Sequence, residues 1–110
     1  MYLNQGVYNG KRLLSRTTVN VILSNQIGNL WGEDATNHYG LAFAVQNQLG
    51  ENKGGSGSDG TFSWGGYFNT QYFANPKEQI IGIILKQTQG PVSDSTGWKF
   101  LILVAQAIDD

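Results

Sequence analysis

The chain has no cysteine, two prolines, one methionine and one histidine among its 110 residues. Without cysteine there is no disulfide and no thiolate metal site, and the redox compartment stays open. With His38 as the single histidine, a metal site has no second imidazole to draw on, and a Ser-His-Asp triad would have to use this one. Charge is scarce as well: seven Lys and Arg against eight Asp and Glu give a net charge of −1, and charged residues are 14% of the total. Such a balance provides no basic field to gather phosphates, so a nucleic-acid partner is not expected. No stretch reaches the roughly 20 apolar residues of a bilayer span. Met1-Tyr2-Leu3-Asn4 has neither the basic start nor the apolar run of a signal peptide, so export cannot be read from the chain.

What is present is glycine and aromatic carbon. Fifteen glycines accompany three Trp, five Tyr and five Phe, with 40% hydrophobic residues overall. That apolar area suffices for a core and disfavours disorder, and the length fits one unit, residues 1–110. The glycines point to turns and close backbone approaches in a β-containing domain.

Along the chain, Asn9-Gly10 marks a turn within Gly6 to Gly10, and Ser15 reads as the N-cap of a short helix carrying Val19, Ile22 and Leu23 on its apolar face. The stretch from Gly28 to Asn37 is loop-like. Gly40 to Val45 is a strand candidate, followed by Gly50 to Gly60, a flexible Gly/Ser-rich segment that is either a hairpin tip or a linker. Thr61 to Trp64 reads as a strand interrupted by Gly65-Gly66, and strand character resumes from Tyr67 to Ala74. After an Asn75-Pro76-Lys77-Glu78 turn, Ile80-Ile81-Gly82-Ile83-Ile84-Leu85 is continuously apolar, the pattern of a central strand covered on both faces.

Trp98 to Ile108 is helix-compatible and apolar nearly all round, with Lys99 and Gln106 as its polar positions. Such a helix is buried nearly all round. Too few partners remain in this chain to cover it, so something outside the chain, or a second copy of it, is expected to pack there. The expected architecture is therefore α+β: an antiparallel sheet of three to four strands, a short N-terminal helix, and a C-terminal helix packed on the sheet.

Several short patterns imitate catalytic templates. Gly55-x-Gly57-x-x-Gly60 fits the dinucleotide fingerprint, but a strand-like segment follows where a helix should hold the pyrophosphate. His38 lies in an ordinary loop setting. The carboxylates Glu33, Asp34, Glu51, Asp59, Glu78, Asp94, Asp109 and Asp110 are scattered, with no spacing that pairs two across a bond. Asp94-x-Thr96-Gly97 lacks the ligand ladder of a calcium loop and reads as the cap of the last helix. No metal and no cofactor is expected.

The run Gly57-Ser58-Asp59-Gly60-Thr61-Phe62-Ser63-Trp64-Gly65-Gly66-Tyr67-Phe68-Asn69-Thr70, then Asn75-Pro76-Lys77-Glu78 and the Ile80 to Leu85 strand, resembles the C-terminal portion of the serine β-lactamase/penicillin-binding-protein superfamily. More narrowly it is similar to class C β-lactamase-like carboxylesterases, in which Trp-Gly-Gly stands where lactamases carry Lys-Thr-Gly. Asn9 to Ser15, Ser24 to Gly28, and Tyr39-Gly40-Leu41-Ala42-Phe43 resemble segments of the same family in the same order.

The resemblance implies a partial β-lactamase-like fold and, in a complete protein, hydrolysis of a small acyl substrate through an acyl-enzyme. It places Trp64, Gly65 and Gly66 on one wall of the pocket and makes the backbone N–H of Tyr67 a candidate second oxyanion donor. The glycines would let an acyl group approach the strand closely; alternatively Trp64 only packs and the glycines form a bulge. The family's Ser-x-x-Lys is absent, since no serine of the chain has a lysine three positions on. Tyr2-Leu3-Asn4 and Tyr67-Phe68-Asn69 imitate the family's Tyr-x-Asn but lie at the wrong places. No catalytic nucleophile or base is therefore assigned, and the chain alone is expected to be inert. Its implied partner is the N-terminal half of the hydrolase domain or a second copy of itself, and a family member would be periplasmic or secreted. Ester, β-lactam and peptide substrates stay open. A rival reading is a non-enzymatic module whose aromatic strand from Trp64 to Phe73 binds glycan or peptide, or whose greasy helix and sheet edge drive homodimerisation.

Overall fold

The computed structural model describes residues 1–54, 57–89 and 94–108. Its first element is a miniature hairpin, β1 (Val7–Tyr8) against β2 (Lys11–Arg12). Asn9 and Gly10, at φ of 48° and 75°, form the two-residue left-handed turn that matches strand twist. Helix α1 (Arg16–Leu23) follows, with the Ser15 hydroxyl accepting from the Thr18 N–H at 2.9 Å. Its buried residue Val19 lies on the expected face.

The main sheet is β3 (Asn37–Tyr39), β4 (Ala44–Gln46), β5 (Phe62–Gly65), β6 (Gln71–Asn75) and β7 (Ile80–Ile84), each antiparallel to its sequence neighbour. It has five strands where three to four were expected. The strand missed is β3, whose polar Asn37 and His38 read as loop. A short helix α2 (Gln48–Asn52), capped by the Asn47 side chain onto the Gly50 N–H at 2.9 Å, intervenes before β5. The segment expected as a flexible loop over 50–60 thus begins inside a helix. Gly55 and Ser56 lie outside the described residues, and the far end is tied down by Gly60 N–H to Gln46 O at 2.9 Å. Helix α3 (Thr96–Gln106) starts two residues before the expected Trp98.

Strand alternation gives the sheet two different faces. One carries Val45, Phe62 and Ala74, which with Phe43 form the core against Tyr2, Leu3, Ile22 and Leu23. The other carries Phe73, directly paired with Gly82, and receives α3 through Phe100, whose ring centroid is 6.1 Å from that of Phe73. The result is an α+β sandwich with helices on both faces.

One burial expectation is corrected. The Ile80 to Leu85 run is not a central strand: β7 is the edge of the sheet, and Ile81 and Ile83 are each 60% exposed. Periodicity cannot distinguish the two cases, because a fully apolar strand reads the same whether or not a neighbour is present to cover it. Helix α3, by contrast, buries only Gly97 and Leu101, while Trp98, Ile102 and Leu103 are exposed. The excess apolar surface expected from its sequence is real and uncovered by the described residues. No helix among the described residues is long and apolar enough to cross a membrane.

Candidate functional site

The β5–β6 hairpin decides where Trp64, Gly65, Gly66 and Tyr67 go. Trp64 and Gly65 pair with Tyr72 and Gln71, after which the chain turns: the Gly66 N–H donates to Thr70 O at 2.7 Å and the Asn69 N–H to Gly66 O at 3.0 Å. Asn69 takes φ of 63°, a left-handed conformation asparagine tolerates better than most residues. Its side-chain Nδ2 donates to Thr88 O at 2.8 Å, fastening the turn to the segment after β7. The strand expected from Tyr67 onward therefore begins only at Gln71, and Tyr67 sits at the hairpin tip.

There Tyr67 is 74% exposed, its hydroxyl accepts from Gln89 Nε2, and its ring packs edge-on against Phe68. Its backbone N–H has no acceptor among the described residues. A free amide in a turn just after two glycines is the kind of donor that could meet a developing alkoxide. A Cβ on Gly65 would meet Gln71 Cγ at 3.4 Å, ordinary contact, so that glycine is not required by the fold around it. At Gly66 a Cβ would collide with the Thr70 hydroxyl, which gives that glycine a structural reason of its own.

Trp64 is half exposed and stacks edge-to-face on Tyr39 at 5.1 Å, with Trp31 next in line at 6.0 Å from Tyr39. Beside it opens a cavity of about 310 Å³ between the sheet and the start of α3. Its walls include Ser63 and Gly65 of β5, Gln71 and Phe73 of β6, and Gly97 and Leu101 of α3. Asn37 and Trp98, which motif reasoning passed over, line it too. The signal that could have found them is the tryptophan set: Trp31, Trp64 and Trp98 are the chain's only three, and all line this one cavity.

No carboxylate, lysine, arginine or histidine is among the lining residues. Tyr72 is the ionisable exception, and burial, then the nearby Tyr39 and Tyr2, push its phenol pKa up and keep it neutral. Charges are spent elsewhere. Lys86 pairs with Asp94 at 2.7 Å, and Asp94 also accepts from the Thr96 N–H at 3.0 Å at the start of α3. Those bonds hold the Asp94 carboxyl well below the usual carboxylate range, and this residue acts at the helix start as the sequence indicated. Glu51 is lowered by the Asp59 N–H and by Lys77. His38 lies in β3, half-buried, with Nε2 3.2 Å from Leu23 O, a structural tie between sheet and α1. The dinucleotide-like glycines lead into β5 and not into a helix.

The aromatic residues proposed as one binding strip do not form one. Phe73 is buried under α3, Tyr72 pairs with Trp64 on the opposite face, and Tyr67 and Phe68 sit at the hairpin tip. No protein-family model matches the chain, and no curated protein is significantly similar to it.

Proposed function

We propose that this chain is the sheet-bearing C-terminal portion of a serine hydrolase of the β-lactamase-like carboxylesterase type. Trp64, Gly65 and Gly66 form one wall of its acyl site, and the Tyr67 amide is one of two oxyanion donors. The observation that carries the reading is the Tyr67 N–H, without an acceptor among the described residues, in the hairpin turn just after Gly65-Gly66. A donor of that kind contributes about 3 kcal/mol to an acyl-transfer transition state. The open edge of β7 and the bare face of α3 support it as well, since a further strand and helix from an N-terminal half would cover both. The nucleophile and its lysine belong to that half, so this chain is inert by itself.

A chromogenic ester and a chromogenic lactam test the reading. The pure chain is expected to turn over neither, while the chain joined to the segment encoded upstream of it hydrolyses the ester. Serine-inhibitor-sensitive turnover by the pure chain, or an upstream segment without Ser-x-x-Lys, overturns it.

The same bare surfaces favour a second reading, a module that associates with its own copies through β7 and α3. Sedimentation as a monomer at high concentration counts against that alternative.

A further inference from the structure

We propose that the cavity between the sheet and the first turn of α3 is a binding site for an uncharged, flat apolar group, and that it rejects carboxylates. At about 310 Å³ it falls at the lower end of the roughly 300–1,000 Å³ typical of small-molecule sites. Trp31, Trp64 and Trp98 reach it from three separate parts of the chain, a loop, β5 and α3, and each keeps about half its surface exposed, at 49%, 49% and 55%. The Trp64 ring lies on the opposite face of the sheet from α3 and meets the hollow from its strand, so the stacking surface for a flat guest is the half-wet ring of Trp98 at the first turn of α3.

The polar groups in the wall are neutral. The Ser63 hydroxyl and the Gln71 amide line the cavity, and neither side chain has a hydrogen-bond partner among the described residues. They can hold a carbonyl or hydroxyl of a guest without supplying charge.

An anion finds nothing comparable. No cationic side chain lines the cavity, and at the start of α3 the Thr96 N–H is taken by Asp94, whose negative charge stands beside the remaining N–H groups of Gly97 and Trp98 and opposes a second anion there. Lys86 is committed to Asp94 at 2.7 Å. A carboxylate entering here would shed water for an apolar wall and a neighbouring carboxylate, which is unfavourable on both counts. The inference does not rest on the hydrolase reading, because it concerns binding to this chain alone.

Because every tryptophan lines the cavity, intrinsic fluorescence reports its occupancy directly. Titration of the full chain with methyl benzoate is expected to give a saturable change with a dissociation constant of roughly millimolar, as expected for so small a ligand. Benzoate, its charged counterpart at pH 7, should bind at least about tenfold more weakly, given the cost of desolvating a carboxylate. Ala44→Phe, which places a ring in the cavity wall, should abolish the methyl benzoate response. If that variant does not fold by circular dichroism, Trp98→Ala decides, and it should weaken binding severalfold. No saturable response, equal affinity for the two probes, or binding unchanged in the folded variant each overturns the proposal. Ester turnover has no part in this outcome, so failure here and failure of the hydrolase reading are separately visible.

Discussion

The ring of Phe73 lies across Gly82 of the neighbouring strand and fills the space that any side chain there would need. Phe73 is itself buried, and Phe100 of α3 meets it, so the ring has little room to retreat. Gly82→Ala is expected to destabilise the chain by about 2 kcal/mol, the usual cost of overpacking, read as a lower urea midpoint with unchanged slope. Phe73→Leu in the same chain should recover part of that loss, because residues in contact couple. Simple additivity of the two losses would show that the glycine is there for another reason.

The tip that presents Tyr67 depends on Asn69. Asn69→Gly keeps the left-handed backbone and loses only the side-chain bond to Thr88, whereas Asn69→Ala also takes on left-handed strain of about 1–2 kcal/mol. Denaturant titration should therefore rank wild type above Gly above Ala. An Ala variant as stable as the Gly variant would contradict a strained turn.

The Lys86–Asp94 pair has a pH signature of known sign. Its carboxyl pKa is lowered in the fold, so the folded state favours the anion, and the stabilisation is fully present above the ordinary carboxylate pKa of about 4. It is lost as pH falls below that value. Asp94→Asn retains an acceptor for the Thr96 N–H but removes the ion pair. The melting-temperature gap between wild type and variant should be constant from about pH 7 to 5 and close on further acidification. A gap that widens in acid would reverse the assignment.

On the hydrolase reading, Gly65 is the residue whose loss separates fold from function. The fold accommodates a Cβ there at ordinary contact distance, so Gly65→Ala should leave the urea midpoint nearly unchanged. In the chain joined to its upstream segment, the same change should lower kcat/KM about tenfold by holding the acyl group off the strand, since such small misplacements are costly. A variant with full activity would remove Gly65 from the substrate wall.

The open edge makes a prediction about association. Ile81 is 60% exposed on the edge strand, and β7 carries neither the lysine nor the proline with which natural edges deter pairing. Ile81→Lys should reduce concentration-dependent association in sedimentation without lowering the melting temperature. Unchanged association would place the contact elsewhere.

Local features were the legible ones. Ser15, Asn9-Gly10 and the Asn75 to Glu78 turn declare themselves because each satisfies backbone groups a few residues away; the Asn75 side chain, for example, accepts from the N–H groups of Lys77 and Glu78. The polar strand β3 was hidden because only three residues pair there, and α2 because its cap Asn47 precedes a glycine-rich stretch. What no local pattern could disclose is which faces find partners: Ile81 and Ile83 look like core until the strand order is known. A motif singled out Trp64 to Tyr67, of which Trp64 and Gly65 line the cavity. Trp31, Asn37 and Trp98 reach the same cavity through the fold alone.

The order β3-β4-β5-β6-β7 also bears on how the chain acquires its shape. Each strand zips onto the one made just before it, so no pairing has to wait for a distant segment and closure entropy is small at every step. A sheet of this kind can nucleate at any hairpin and grow outward in both directions. Its open flank, β7, is then presented as a template already in register for whatever strand arrives next.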